Sequence, residues 1–190
     1  TGSNGLLGQK LLDLFKTKSG FDVISTSKGE NRYPNNPFIY LNLDITNKEE
    51  VKEQLDYYKP DFIINTAAMT NVDGCEDFKK ECDDLNVNAI TYLLESCEKY
   101  DIHLIHISTD FIFDGENGPY KETDIANPLS YYGLSKWKAE ELITSSPIRF
   151  TILRTIILYG IVHNMSRSNI VLWAKETLEK NENITIVEDQ

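Results

Sequence analysis

The chain has 190 residues, 41% of them apolar and 26% charged, enough to bury the core of one ordinary domain and too few polar tracts for disorder. With 30 acidic and 19 basic residues the net charge is −11, a surface that repels phosphate backbones and acidic membranes, so neither a nucleic-acid partner nor a membrane partner is expected. An anionic ligand then needs a local exception, such as a helix N-terminus or one or two placed cations.

In chain order, Leu7, Leu11, Leu14 and Phe15 fall at helical spacing directly after a glycine-rich start. Residues 21–27 read as a strand, residues 28–37 as a loop rich in Asn, Pro and Gly, and residues 38–43 as a second strand ending at Asp44. A helix over 47–58 stops before Pro60, and residues 61–66 form an apolar strand of the buried kind. A long helix is expected over 79–100, a strand over 102–108, and a turn-rich loop after it. A helix over 131–144 starts at Ser130, a candidate N-cap, and is followed by a strand over 150–155, a helix over 168–180 and a last strand from 184 to 187. Strands alternating with helices predict an α/β fold of the Rossmann-like, doubly wound kind, a parallel sheet with helices on both faces and no dividing linker.

The three cysteines, Cys75, Cys82 and Cys97, are odd in number and irregular in spacing, so they suit buried thiols and neither a disulfide framework nor a zinc site; no metal is expected. No stretch approaches the roughly 18 consecutive apolar residues of a bilayer span, and no secretion leader is visible, which makes the cytoplasm the expected compartment. His103 and His106 lie three apart on one strand, so they face opposite sides and are expected to be structural.

Two places carry chemistry. The start, Gly2-x-x-Gly5-x-x-Gly8, opens a helix: glycines permit a tight turn and close approach of backbone to a pyrophosphate, and the helix end offers unpaired N–H groups and a positive dipole. At the end of the next strand Ser27 and Lys28, with Arg32 nearby, suit the extra phosphate of NADP, while Glu30 keeps NAD open. Further on, Tyr132 and Lys136 stand at i and i+4 on one helical face. A phenol is a poor acid near neutral pH, and a neighbouring ammonium lowers its pKa. The strand ending Ser108-Thr109-Asp110 brings a hydroxyl to the end of the sheet where ligands bind in open α/β folds.

These motifs, together with Asn65-Thr-Ala-Ala68 and Val87-Asn88-Ala89, resemble the extended short-chain dehydrogenase/reductase family. Leu43-Asp44-Ile45-Thr46, Thr70-Asn-Val-Asp73 with Glu76, the run from Ser108 to Gly115 and Pro119-Tyr-x-Glu122-x-Asp124 are similar to its dTDP-4-dehydrorhamnose reductase-like branch. The resemblance implies an NADP-preferring reductase, with NAD as the other cofactor, that acts on the keto group of a nucleotide-linked 4-keto-6-deoxy sugar. It implies that Gly2, Gly5 and Gly8 line the pyrophosphate with Asn4 and Leu6 beside them. It places Asp44 and Ile45 at the adenine, and Ala67, Ala68 and Met69 under the ribose. Asn88 supports the site from its helix. Thr109, Tyr132 and Lys136 are the catalytic trio: Thr109 binds the substrate carbonyl, Tyr132 donates the proton, and Lys136 holds the nicotinamide ribose and tunes Tyr132.

The related reductases place a Trp two residues after Arg-Thr in the following strand, where this chain has Ile157 after Arg154-Thr155, which leaves the sugar itself open. Residues 1–190 are expected to be a cofactor-binding Rossmann domain that lacks the first strand and the sugar-closing segment of its relatives, with little activity alone. A homodimer is the assembly expected. Two other readings share the fold: a non-catalytic nucleotide-binding regulatory subunit similar to that of methionine adenosyltransferase, and a nucleotide-sugar epimerase or dehydratase.

Overall fold

The computed structural model describes residues 1–165 and 169–185. Helix α1 (Leu6–Lys16) leads to strand β1 (Ile24–Ser27), and β2 (Ile39–Asn42) to helix α2 (Lys48–Tyr58) and strand β3 (Phe62–Asn65). Two short helices follow, α3 (Val72–Asp77) and α4 (Lys79–Asp83), then α5 (Ala89–Tyr100) and strand β4 (His103–Thr109). Helix α6 (Tyr131–Thr144), strand β5 (Phe150–Thr155) and helix α7 (Ile170–Glu179) complete the described order.

All strand pairs are parallel, in two sheets: β1 beside β2, and β3, β4 and β5 in that order with β4 central. Thr1–Ser3 join the two. Thr1 N donates to Ile64 O at 2.7 Å, Thr66 N donates to Thr1 O at 3.1 Å, and Ser3 N donates to Thr26 O at 3.0 Å. The opening residues thus bond the ends of β1 and β3 simultaneously, and the phosphate-loop candidate begins between the sheets. The doubly wound α/β reading holds.

The core explains the pattern. Ile63 and Leu104 alternate with outward residues along β3 and β4 and pack on Ile90, Leu93 and Cys97 of α5 and on Ala139 and Ile143 of α6, while Val51 brings in α2. Helix ends follow local chemistry. Asn47 caps α2 by accepting Glu50 N, which satisfies one orphan donor of the first turn, and its side-chain amide donates to Glu50 Oε1 at 2.7 Å. Ser130 caps α6 by accepting Gly133 N at 3.1 Å, as its sequence position predicts.

Three differences from the sequence reading have physical causes. The first strand is shorter, Ile24–Ser27, because Phe21 is exposed and has no strand partner. The helix expected over 79–100 holds a π-helical turn, Asp84–Asn88, between α4 and α5, and α3 precedes it unforeseen because six residues carry too little periodicity to register. The last strand is not found at Ile184 and Thr185, and residues 186–187 lie outside the described residues, as does Ser168 at the expected start of α7. Among the described residues no helix is long and apolar enough to cross a membrane, and no group of His, Cys, Asp and Glu could hold a metal.

Candidate active site

The phosphate loop is built on backbone. Gly2 has φ +81°, and a Cβ there would lie 2.6 Å from both Ala67 N and Thr66 Oγ1, so only glycine lets the loop press against the end of β3. Gly5 N donates to Gly2 O at 3.0 Å and is the N-cap of α1, where no side chain caps the helix; Leu6 is its first residue. Helices α2, α6 and α7 are closed by Asn47, Ser130 and Asn169, whereas α1 has no side-chain cap and no acidic residue in its first turn. Gly8, buried, carries α1 tight against the Gly2 carbonyl. Ser3 Oγ and Thr26 Oγ1 are buried here without a hydrogen-bond partner among the described residues. An uncapped helix end with orphaned hydroxyls fits a dinucleotide pyrophosphate.

Around this loop the sequence-derived residues gather. The Asn4 side chain donates to Glu30 O at 2.8 Å and accepts from Arg32 N at 2.9 Å, tying the loop to the turn that holds Lys28. Ser27 accepts Leu43 N through its carbonyl, and Lys28 Nζ pairs with Asp44 Oδ2 at 2.6 Å. Lys28 is well exposed, so the pair is worth little in stability and is easily opened by an incoming phosphate. Ile45 turns its side chain into the hydrophobic core, leaving Asp44 as the accessible member of that pair. Ala67 and Ala68 follow β3, and Met69 is clamped: its N–H donates to Asn86 Oδ1 at 2.8 Å and its carbonyl accepts from Asn86 Nδ2 at 3.1 Å.

That clamp corrects the role expected of Asn88. Asn88 is exposed and its amide donates to Asp84 Oδ1 at 2.9 Å, whereas Asn86 is 1% exposed and also donates to Ser135 Oγ of α6 at 2.9 Å. The two side chains lie two positions apart on the π-helical turn and therefore face different ways, and only Asn86 faces the site. Wide π turns of this kind are frequent at functional sites. The buried side of this helix was the missing signal.

The catalytic candidates meet where β4 ends against α6. Gly133 permits it: a Cβ there would lie 2.2 Å from Phe111 O, so the helix rides directly on the turn after β4. Thr109, 5% exposed, ends β4, and its hydroxyl caps the 3-10 turn Asp110–Ile112 by accepting Phe111 N. Tyr132 stacks edge-on against Phe111 with centroids 5.8 Å apart. Burial pushes the Tyr132 phenol above its ordinary pKa, and hydrogen bonding from Thr109 works the other way. Lys136 is not turned toward the phenol. Its Nζ bonds Ile107 O at 2.7 Å and lies 3.0 Å from His106 Nε2. Burial lowers Lys136 to about 8, opposed by Glu140 and then Cys82. Burial, and then Lys136, hold His106 well below its ordinary 6.5, so the imidazole is neutral.

His106 was read from sequence as structural, yet it touches Lys136 directly. The signal was its period-two phase: Leu104, His106 and Ser108 share the face of β4 on which α6 packs. His103, on the other face, bonds Thr151 Oγ1 at 2.9 Å. The three cysteines are free and buried. Asp114 organises its loop by accepting Glu116 N, Asn127 Nδ2 and the Tyr120 hydroxyl.

Comparison with known proteins agrees with this geometry. A family model described as the RmlD substrate binding domain matches residues 1–190. A dTDP-4-dehydrorhamnose reductase of Aggregatibacter actinomycetemcomitans is 37% identical over 161 residues, 84% of this chain and 51% of its own length. The methionine adenosyltransferase 2 subunit beta of Danio rerio is 33% identical, covering 98% of this chain and 55% of its own. Among solved structures, a hypothetical dTDP-4-dehydrorhamnose reductase from Sulfolobus tokodaii superposes with TM-score 0.84 at 32% identity over 97% of this chain and 62% of that one. The dTDP-4-dehydrorhamnose reductase from Bacillus anthracis str. Ames, in complex with NADP, does so with TM-score 0.80 at 27% identity, over 100% of this chain and 62% of that one. The chain thus spans about half the length of the curated relatives it matches. With a Rossmann-type sheet, an uncapped glycine-rich helix start and Thr109 beside Tyr132, the chain belongs to the RmlD family of extended short-chain dehydrogenase/reductases.

Proposed function

We propose that this chain is the cofactor-binding part of an NADP-preferring reductase that converts the keto group of a nucleotide-linked 4-keto-6-deoxy sugar to an alcohol. The observation that carries the reading is the meeting of Thr109 and Tyr132 at the end of β4, one helical turn from Lys136. NADPH, when bound, supplies the hydride. The chain's own residues do the rest. The first-turn N–H groups of α1 receive the pyrophosphate, and Ala67, Ala68 and Met69, fixed by Asn86, form the floor under the ribose. Ser27, Lys28 and Arg32 stand at the loop mouth where a 2′-phosphate would lie, which favours NADP over NAD. The Thr109 hydroxyl holds the sugar carbonyl against Tyr132, and the phenol gives its proton to the oxygen as negative charge develops there.

In the full-length protein, Tyr132→Phe is expected to lower NADPH oxidation with dTDP-linked 4-keto sugars by about 10²–10⁴-fold, the usual worth of a general acid, while NADPH binding stays within about twofold. Normal turnover by that variant would refute the mechanism. The kinship with methionine adenosyltransferase subunit beta favours a second reading, a nucleotide-binding regulatory subunit. It predicts no NADPH oxidation on any dTDP-, GDP- or UDP-linked keto sugar, together with stable association with a synthetase.

A further inference from the structure

The turn after β1 is held by side chains that lie outside it. Residues 28–32 follow the end of β1, and Gly29 takes φ +85° to start the turn. Gly29 N donates to Asn42 Oδ1 at 2.7 Å, and Gly29 O accepts the Tyr40 hydroxyl at 2.7 Å. Glu30 O accepts Asn4 Nδ2 at 2.8 Å, and Arg32 N donates to Asn4 Oδ1 at 2.9 Å. Backbone groups of an exposed turn are thus bound from β2 on one side and from the glycine loop on the other.

Tyr40 of β2 is the joint of this set. Its hydroxyl has a single proton. Ser27 O, 3.2 Å away, already accepts Leu43 N, so the proton goes to the nearer Gly29 O. The same hydroxyl oxygen accepts from Asn4 Nδ2 at 3.3 Å. Arg32 N, a backbone donor, fixes which way Asn4 points: its carbonyl faces Arg32, and its amide nitrogen faces Glu30 O and Tyr40. A continuous path therefore runs from the glycine loop through Asn4 and Tyr40 to Gly29, the neighbour of Lys28. Asn4 is 8% exposed, whereas Lys28 and Arg32 are exposed. The backbone beneath two cations is fixed while the cations stay open to a ligand. Burial raises the Tyr40 phenol above its ordinary pKa, and the Asn4 bond and then the charge of Arg32 work the other way, which keeps Arg32 electrostatically in touch with this hydroxyl.

We propose that Tyr40 is a positioning residue for cofactor selection: by fixing Gly29 and Asn4 it holds the backbone of Lys28 and Arg32 where these cations meet the 2′-phosphate of NADPH. The inference rests on the NADP-preferring reading of the site. An unfastened exposed turn would have to be ordered at the moment of binding, and that cost would fall on the ligand that uses the turn. NADH carries a hydroxyl in place of the phosphate and draws little from the two cations. Tyr40 therefore acts on the difference between the two cofactors and leaves their common pyrophosphate contacts alone.

The test is calorimetric titration of the full-length protein with NADPH and with NADH, without substrate. Tyr40→Phe removes only the hydroxyl. It is expected to raise the Kd for NADPH about five- to tenfold and to leave that for NADH within about twofold. Equal weakening of both cofactors, or of neither, overturns the proposal. In a Lys28→Met, Arg32→Met background the same substitution is expected to change neither Kd further, because the cations it positions are gone; a persisting loss for NADPH alone also overturns it. A wild type that binds both cofactors alike overturns the NADP preference and this inference together. A wild type that prefers NADPH, with the preference unchanged in Tyr40→Phe, overturns the inference alone. None of these results is read through turnover, so keto-group reduction is judged separately by Tyr132→Phe.

Discussion

Single side chains decide the electrostatics of the site. His106 and Lys136 both have basic pKa values pushed down by burial, so the folded protein binds fewer protons at these groups than the unfolded chain. Stability therefore rises with pH wherever only the unfolded state is protonated. For His106 that window lies below about 6.5, and stability from this group is lost as pH falls through it. For Lys136 it runs from about 8 up to the ordinary 10.5, where stability rises with pH by up to about 3 kcal/mol. Urea unfolding of the full-length protein between pH 5 and pH 10 is expected to show both slopes. His106→Gln should flatten the acid slope and Lys136→Met the alkaline one, and parallel curves for wild type and variants would place the titration elsewhere. The motif positions Thr109, Tyr132 and Lys136 were legible in the sequence. The orientation of Lys136 was not, because its partners, His106 and Ile107, come from another strand and no spacing encodes them.

Between elements, one ion pair fixes the helix that carries Tyr132. Glu140, one turn beyond Lys136 on α6, is 2% exposed and receives Arg154 of β5 through Nε at 3.1 Å and Nη2 at 2.7 Å. Arg154 Nη1 also donates to Glu122 O at 3.1 Å, binding the long loop to the same joint. Glu140→Ala leaves a half-buried guanidinium without its carboxylate and is expected to cost about 3–5 kcal/mol, measured as a drop in the denaturant midpoint. A loss below about 1 kcal/mol would mean that Gly133 and the apolar contacts of Ala139 and Ile143 hold α6 alone. Helix α6 began where the capping residue Ser130 stood in the sequence, since a cap is a local interaction, and Asn47, read as the first residue of α2, is its cap. The π turn at Asp84–Asn88 escaped, because it arises from how Asn86 must face Met69 and Ser135.

At the scale of the molecule, the parallel strands divide into a three-stranded sheet and a pair, joined through Thr1–Ser3. Strand β4 is bonded on both sides and contributes the fully buried Leu104, whereas β2 is bonded on one side and has exposed ends at Ile39 and Asn42. Native-state hydrogen exchange should therefore be slowest at the β4 amides and fastest among the strands at β2, since local opening follows contact density. Equal protection of both would show that the two sheets unfold as one unit. A net charge of −11 is compatible with an anion at the glycine loop because the loop offers backbone N–H groups and a helix end, while the exposed Lys28 nearby is paired only weakly with Asp44.

By itself the sequence determined the α/β alternation, the glycine loop, the cap of α6, and the placement of Tyr132 and Lys136 one turn apart on one helix, because each is a short-range pattern of period, turn or cap. The tertiary structure alone decided that Asn86 and not Asn88 faces the site, that Ile45 belongs to the core, and that Lys136 meets His106 and Ile107 of β4 in the buried interior. Those outcomes depend on which atoms of distant strands and helices are brought within hydrogen-bond reach, and such contacts have no one-dimensional signature.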